Sequence, residues 1–171
     1  MIRKFNQKEY TWDGVDTLVY KQDNSPFKDV TRQVLFDGAW DIPCQFRYFE
    51  VQPGGYSTME RHEHTHMVMI FRGKGQCLLG DTVEDVQEGD MIEIPKLMAH
   101  QFRANQDDHL GFLCLVNVDR DKVQVITEEE QAVMTIVRLC VYKLVGAQGR
   151  LVEFATNQNQ AGFSESDEIV G

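Results

Sequence analysis

The sequence predicts an all-β fold, one barrel or sandwich with an N-terminal arm before it and a helical tail after it, on three observations. Short runs of alternating apolar and polar residues recur between Lys28 and Val118, each bounded by glycine, proline or an Asp-Gly pair. Helical spacing of apolar residues is confined to the stretch after Thr127. The 171 residues suffice for one domain with its own core and without disulfide staples.

Taken in order, Tyr10 to Tyr20 alternates weakly and carries Trp12 and a turn at Asp13-Gly14, which predicts a short arm. Asn24-Ser25-Pro26 signals a turn. Lys28 to Phe36 follows as a strand with Val30, Arg32, Val34 and Phe36 on one face, closed by Asp37-Gly38. A strand from Cys44 to Gln52 places Gln45, Arg47, Phe49 and Val51 on one side, and Pro53-Gly54-Gly55 is expected to break it. A central strand is expected from Ser57 to Arg72, then a turn at Gly73-Lys74-Gly75 and a short strand from Gln76 to Leu79. Further strands are expected over Thr82 to Val86, Met91 to Ile94, His100 to Arg103 and Leu110 to Val118.

The tail reads differently. Thr127 with Glu130 three residues on is a capping-box pair, and the acidic run from Glu128 to Glu130 suits the positive end of a helix dipole. Val133, Ile136, Val137 and Cys140 fall at helical spacing, which predicts a helix from Glu128 to about Leu144. Gly146 to Gly149 interrupts it, Leu151 to Phe154 is an edge strand or a further helical turn, and Asn157 to Gly171 is polar and loosely ordered on this reading. The expected division is thus a barrel with its arm over 1–126 and an extension over 127–171.

With 17 basic against 27 acidic residues and a formal charge of −10, no global field attracts nucleic acid or an anionic membrane. The first residues are charged and amide-bearing where an export signal needs an apolar core, and no apolar run nears the roughly 18 residues of a membrane span. A cytoplasmic protein is expected. Cys44, Cys77, Cys114 and Cys140 are scattered without a Cys-x-x-Cys pair, against both a disulfide framework and a thiolate zinc site.

The chemistry concentrates in Met59-Glu60-Arg61-His62-Glu63-His64-Thr65-His66, which holds three of the five histidines. On an extended strand Glu60, His62, His64 and His66 project to one side, a ladder of potential metal ligands. Imidazoles with a carboxylate suit divalent Mn, Fe, Ni, Co or Zn.

This arrangement resembles the cupins, a family whose barrels carry two motifs: one with His-x-His, a later carboxylate and a closing glycine, the other with a glycine, a proline and a later histidine. Gly89 to Pro95 and His100 match the second motif, and a register anchored on Gly73 matches the first with the carboxylate and one imidazole exchanged. The resemblance implies a single double-stranded β-helix of jelly-roll type, with Glu60, His62, His66 and His100 as ligands and His64 beside them as a pocket acid or base. A register anchored on Gly75 would use His62 and His64, and leaves Val68 at the third ligand position.

Beyond the motifs, Val30-Thr-Arg-Gln, Arg47-Tyr-Phe-Glu-Val, Ser57-Thr-Met-Glu-Arg-His-Glu-His, His100-Gln-Phe-Arg and Leu110-Gly-Phe-Leu-Cys-Leu-Val look like the methylsulfurylase branch of bacterial cupins, active in methylthioadenosine salvage. That implies a manganese-dependent C–S cleaving lyase or methylthiotransferase acting on 1-methylthio-D-xylulose 5-phosphate, with glutathione as thiol acceptor. Cys114 is the best internal relay thiol and Cys77 the second choice. A sugar phosphate on an acidic protein needs a local guanidinium cluster, for which Arg32, Arg47 and Arg103 are the candidates. An iron-dependent dioxygenase on the same ligands, a sugar isomerase and a non-catalytic binding protein are the competing classes. A homodimer is expected, as for many cupins, with the arm at Trp12 and the tail helix offering apolar surface.

Overall fold

The computed structural model describes residues 1–20, 26–39 and 41–134. The described residues form twelve strands: β1 Phe5–Asn6, β2 Thr11–Trp12, β3 Thr17–Val19, β4 Lys28–Asp37, β5 Cys44–Tyr56, β6 Glu60–Arg61, β7 His66–Leu79, β8 Thr82–Gln87, β9 Met91–Ile94, β10 His100–Ala104, β11 Leu110–Asn117 and β12 Gln124–Val125. All their pairings are antiparallel: β1 and β2 form a small sheet of their own, and the main sheet runs β12-β6-β10-β7-β11-β5-β4-β3, with β8 and β9 also paired to β7. The sheet closes into a barrel where β10 meets the end of β5 at Arg103 and Tyr56. Closure leaves one interior for every inward-facing side chain.

The two-residue period decides what enters that interior. In β7, His66, Val68 and Ile70 are buried while Met67 and Met69 are exposed, and in β9 Ile92 and Ile94 are buried between exposed Met91 and Glu93. Phe102 and Phe112 stack at 4.3 Å between ring centroids, and Phe112 and Phe49 at 5.2 Å, which builds the apolar floor of the barrel cavity.

Three expected boundaries are corrected. Pro53-Gly54-Gly55 does not end β5, which runs on to Tyr56; Gly54 takes a φ of +70°, and a Cβ on Gly55 would lie 2.6 Å from the Lys28 carbonyl oxygen. These glycines make a bulge where the β4 register shifts, not a stop. Gly73-Lys74-Gly75 is likewise inside β7. There the strand changes partners, from β9 and β11 to β8 and β10, and a Cβ on Gly75 would meet the Arg103 carbonyl oxygen at 2.2 Å. Finally, Ser57 to Arg72 is not one strand. β6 is two residues long, residues 62–65 leave the ladder, and β7 begins at His66.

The arm folds onto its own barrel. Phe5, Tyr10 and Trp12 pack against Phe71 and Tyr48, Gln33 Nε2 donates to the Tyr10 carbonyl at 2.8 Å, and the Arg72 guanidinium lies 3.9 Å from the Tyr10 ring centroid. Trp12 is therefore occupied within the protomer, contrary to its expected role as surface left for a partner. At the other end the capping box forms: Thr127 N donates to Glu130 Oε2 at 3.0 Å and Glu130 N to Thr127 Oγ1 at 3.2 Å, opening a helix over 128–134. The rest of the expected helix, the Gly146–Gly149 interruption, the segments after it, Cys140 and most of the Asn24-Ser25-Pro26 turn lie outside the described residues.

Candidate active site

One pocket in the barrel brings together residues from distant parts of the chain, with His62, His66 and His100 at one side and Arg32, Arg47 and Arg120 among its other lining groups. The three imidazoles each offer a ring nitrogen, and these atoms all lie within 4.8 Å of one another. His66 is the first residue of β7 and His100 the first of β10, so both enter from strand ends, while His62 comes from the segment that leaves the ladder after β6. His100 pairs across the sheet with Glu60.

The ring nitrogens are pre-assigned by their second partners. His62 Nδ1 meets the His64 carbonyl at 2.8 Å and His100 Nδ1 the Met98 carbonyl at 2.9 Å. A carbonyl only accepts, so each Nδ1 carries the proton and each Nε2 keeps its lone pair for a cation. The Nε2 atoms of His62 and His66 are buried without a hydrogen-bond partner. Burial, with the neighbouring imidazoles, holds His62 neutral down to about 4 and drives His66 lower still. Buried, neutral and partnerless nitrogens converging on one point fit a divalent cation of the borderline class.

Glu60 lies in the same pocket but is not a member of that three-nitrogen cluster. Its Oε1 accepts from the Tyr20 hydroxyl at 3.2 Å, and burial together with the Glu60 charge raises the Tyr20 phenol well above its usual value. His64 is present too, its ring stacked on His62 at 3.8 Å and its Nδ1 2.5 Å from Asp121 Oδ1. The histidine grouping expected from strand alternation is therefore real but arises otherwise: the chain leaves the ladder and stacks the rings.

Cys114 lines the pocket from β11, and Arg47 directly opposite on β5 donates from Nη2 to its Sγ at 3.2 Å. Burial pushes the Cys114 thiol up, and Arg47 pulls it part of the way back. Cys77 is buried outside the pocket, its thiol pushed up to about 12 by burial and by Glu84. Arg103 is also placed apart from the site. His100 and Phe102 face inward on β10, so the alternation turns Arg103 outward, where it lies 5.2 Å from the Tyr56 ring centroid. Arg120 and Asp121 occupy the pocket unforeseen, on the loop after β11. The charge run Asp119-Arg-Asp-Lys122 directly after an inward-facing strand was the available signal.

The Cupin domain family matches residues 47–116. The chain is 51% identical over 129 residues to 1-methylthio-D-xylulose 5-phosphate methylsulfurylase of Rhodospirillum rubrum, spanning 75% of this chain and 82% of that protein. Among solved structures, a cupin 2 conserved barrel domain protein from Rhodopseudomonas palustris superposes with a TM-score of 0.74 at 48% identity, covering 83% of this chain and 98% of that one. A cupin-2 domain protein from Rhodospirillum rubrum gives 0.71 at 46% identity, covering 87% and 99%.

Proposed function

The chain belongs to the cupin family, and from that premise we propose that it is a metal-dependent enzyme moving the methylthio group of 1-methylthio-D-xylulose 5-phosphate to a thiol and leaving 1-deoxy-D-xylulose 5-phosphate. The observation that carries this reading is a thiol, Cys114, in the same pocket as a three-imidazole cluster. The curated relative acting on that ketose phosphate supports it. His62, His66 and His100 would hold the cation, with Glu60 as fourth ligand; manganese is the metal on this reading. Bound there, the cation supplies Lewis-acid polarisation of the substrate ketone.

The residues of the chain do the rest. Arg47 holds Cys114 in place and favours its thiolate, which attacks the sulfur of the methylthio group. The carbon–sulfur bond breaks with its electron pair going to carbon, and His64, oriented by Asp121, gives the proton that completes the methyl group of the product. Carbon is reduced and the Cys114 sulfur is oxidised to a methyl disulfide. Glutathione then attacks that disulfide, leaves as its own methyl disulfide and restores Cys114, its proton returning to His64. Phe49, Phe102 and Phe112 line the pocket and exclude water from the carbon that takes up the electron pair and the proton.

The test is to incubate manganese-loaded protein with the methylthio ketose phosphate and glutathione and to follow both products by mass spectrometry. Product formation that stops in Cys114→Ser is the expected result. No product from metal-replete protein rejects the reaction, and full activity in Cys114→Ser makes glutathione the direct acceptor.

A further inference from the structure

We propose that Arg120, together with Arg32, forms the anion-holding end of the pocket and makes it select phosphorylated over unphosphorylated ketoses; the substrate class rests on the function proposed above. Arg47 has one arm committed, its Nη2 donating to the Cys114 sulfur, so it joins an anion site only through the rest of its guanidinium, whose Nε is buried without an acceptor. Arg32, from β4, lines the pocket with its Nε buried and without an acceptor. A buried guanidinium N–H without a partner is a costly arrangement that an incoming oxyanion would relieve.

Arg120 is held in place by neutral acceptors only. Its Nη1 donates to the carbonyls of Asn117 at 2.9 Å and Val118 at 3.2 Å, and its Nη2 to Gln45 Oε1 at 2.9 Å. These bonds fix the fork without cancelling its charge. Arg47 and Arg32 are near enough to oppose that charge, and Asp37 offsets them only in part. The carboxylates that line the pocket are engaged elsewhere: Asp121 accepts from the Glu63 N–H and meets His64, and Glu60 accepts from Tyr20. A chain of net charge −10 thus gathers three guanidiniums around one cavity. Such a cluster repels itself until an anion enters, and planar forks suit the oxygens of a phosphate monoester.

The experiment compares D-xylulose 5-phosphate with D-xylulose by calorimetry on the full-length, metal-loaded protein. Neither probe carries a methylthio group, so the result stands apart from the fate of the transfer reaction. Arg120→Gln and Arg32→Gln are each expected to weaken D-xylulose 5-phosphate roughly 10- to 100-fold, the loss of a charge-assisted bond. Arg120→Lys should recover part of it, and Arg3→Gln, outside the pocket, should change it less than about twofold. D-xylulose, weak throughout, should compete equally well in wild type and Arg120→Gln when displacing a bound reporter. The proposal is overturned if Arg120→Gln leaves the phosphorylated probe unaffected, if it weakens both probes by the same factor, or if wild type binds them equally.

Discussion

Cys114 stands directly across the β5–β11 ladder from Arg47, whose Nη2 donates to its sulfur at 3.2 Å. Burial raises the thiol and the guanidinium opposes that rise, so the two residues set how readily a thiolate forms. Removing the cation with Arg47→Gln should raise the Cys114 pKa further. The acid limb of kcat/KM is then expected to move to higher pH, with kcat near neutrality down about 10- to 100-fold. A pH–rate profile checks it, and an unmoved acid limb would separate Arg47 from the thiol's ionisation.

Elemental analysis of purified variants tests the ligand set. His62→Ala, His66→Ala and His100→Ala should each lose most bound metal, and Glu60→Ala should lower it, whereas His64→Ala should keep metal and lose activity. Metal retained in Glu60→Ala would remove that carboxylate from the ligand set.

Metal-free protein should lose stability in mild acid. An unfolded histidine takes its proton near about 6.5, but folded His62 does so only near about 4, because it is buried beside other imidazoles. Between those values the unfolded chain binds more protons, so stability rises with pH, is complete above about 6.5 and is lost as pH falls towards 4. Melting temperature of the apo protein should drop between pH 7 and pH 5. Manganese should offset the drop by binding only the folded state. A flat apo profile would contradict the assigned burial of these rings.

The outer sheet face tests the quaternary expectation. Met67, Met69, Met91 and Leu115 are exposed by 40, 41, 66 and 40%, and the registers Met69–Met91 and Met67–Leu115 make them neighbours. An apolar patch on a sheet face is the surface a second copy would cover. Light scattering at micromolar concentration should give a dimer mass, reduced to the monomer by Met69→Glu. A wild-type monomer would end this expectation.

Most of the barrel was legible because inward and outward positions alternate with period two, and the inward sides of β7 and β9 follow that rule. The same rule, carried three residues from His100, would have excluded Arg103 from the pocket. The histidines were legible by type and proximity, although the strand geometry inferred for them was not what groups them. Glycines misled, since Gly55 and Gly75 permit close strand approach inside long strands rather than ending them. Arg120 and Asp121 left no periodic trace. They sit on a loop whose path is fixed by distant anchors, the Glu63 N–H on Asp121 and Gln45 on Arg120.

β7 pairs with β8, β9, β10 and β11, and its first residue is one of the clustered histidines. Peeling β7 away would unlace four ladders at once, so partial openings of the molecule are confined to short strands outside those ladders, such as β3 and β12. A protease acting on native protein should therefore nick the periphery and spare His66 and His100, which sit on β7 and on its partner β10. Release of a bound cation through loss of His66 would then share its barrier with global unfolding, so that exchange of the metal runs on the clock of the whole barrel rather than of a local fluctuation.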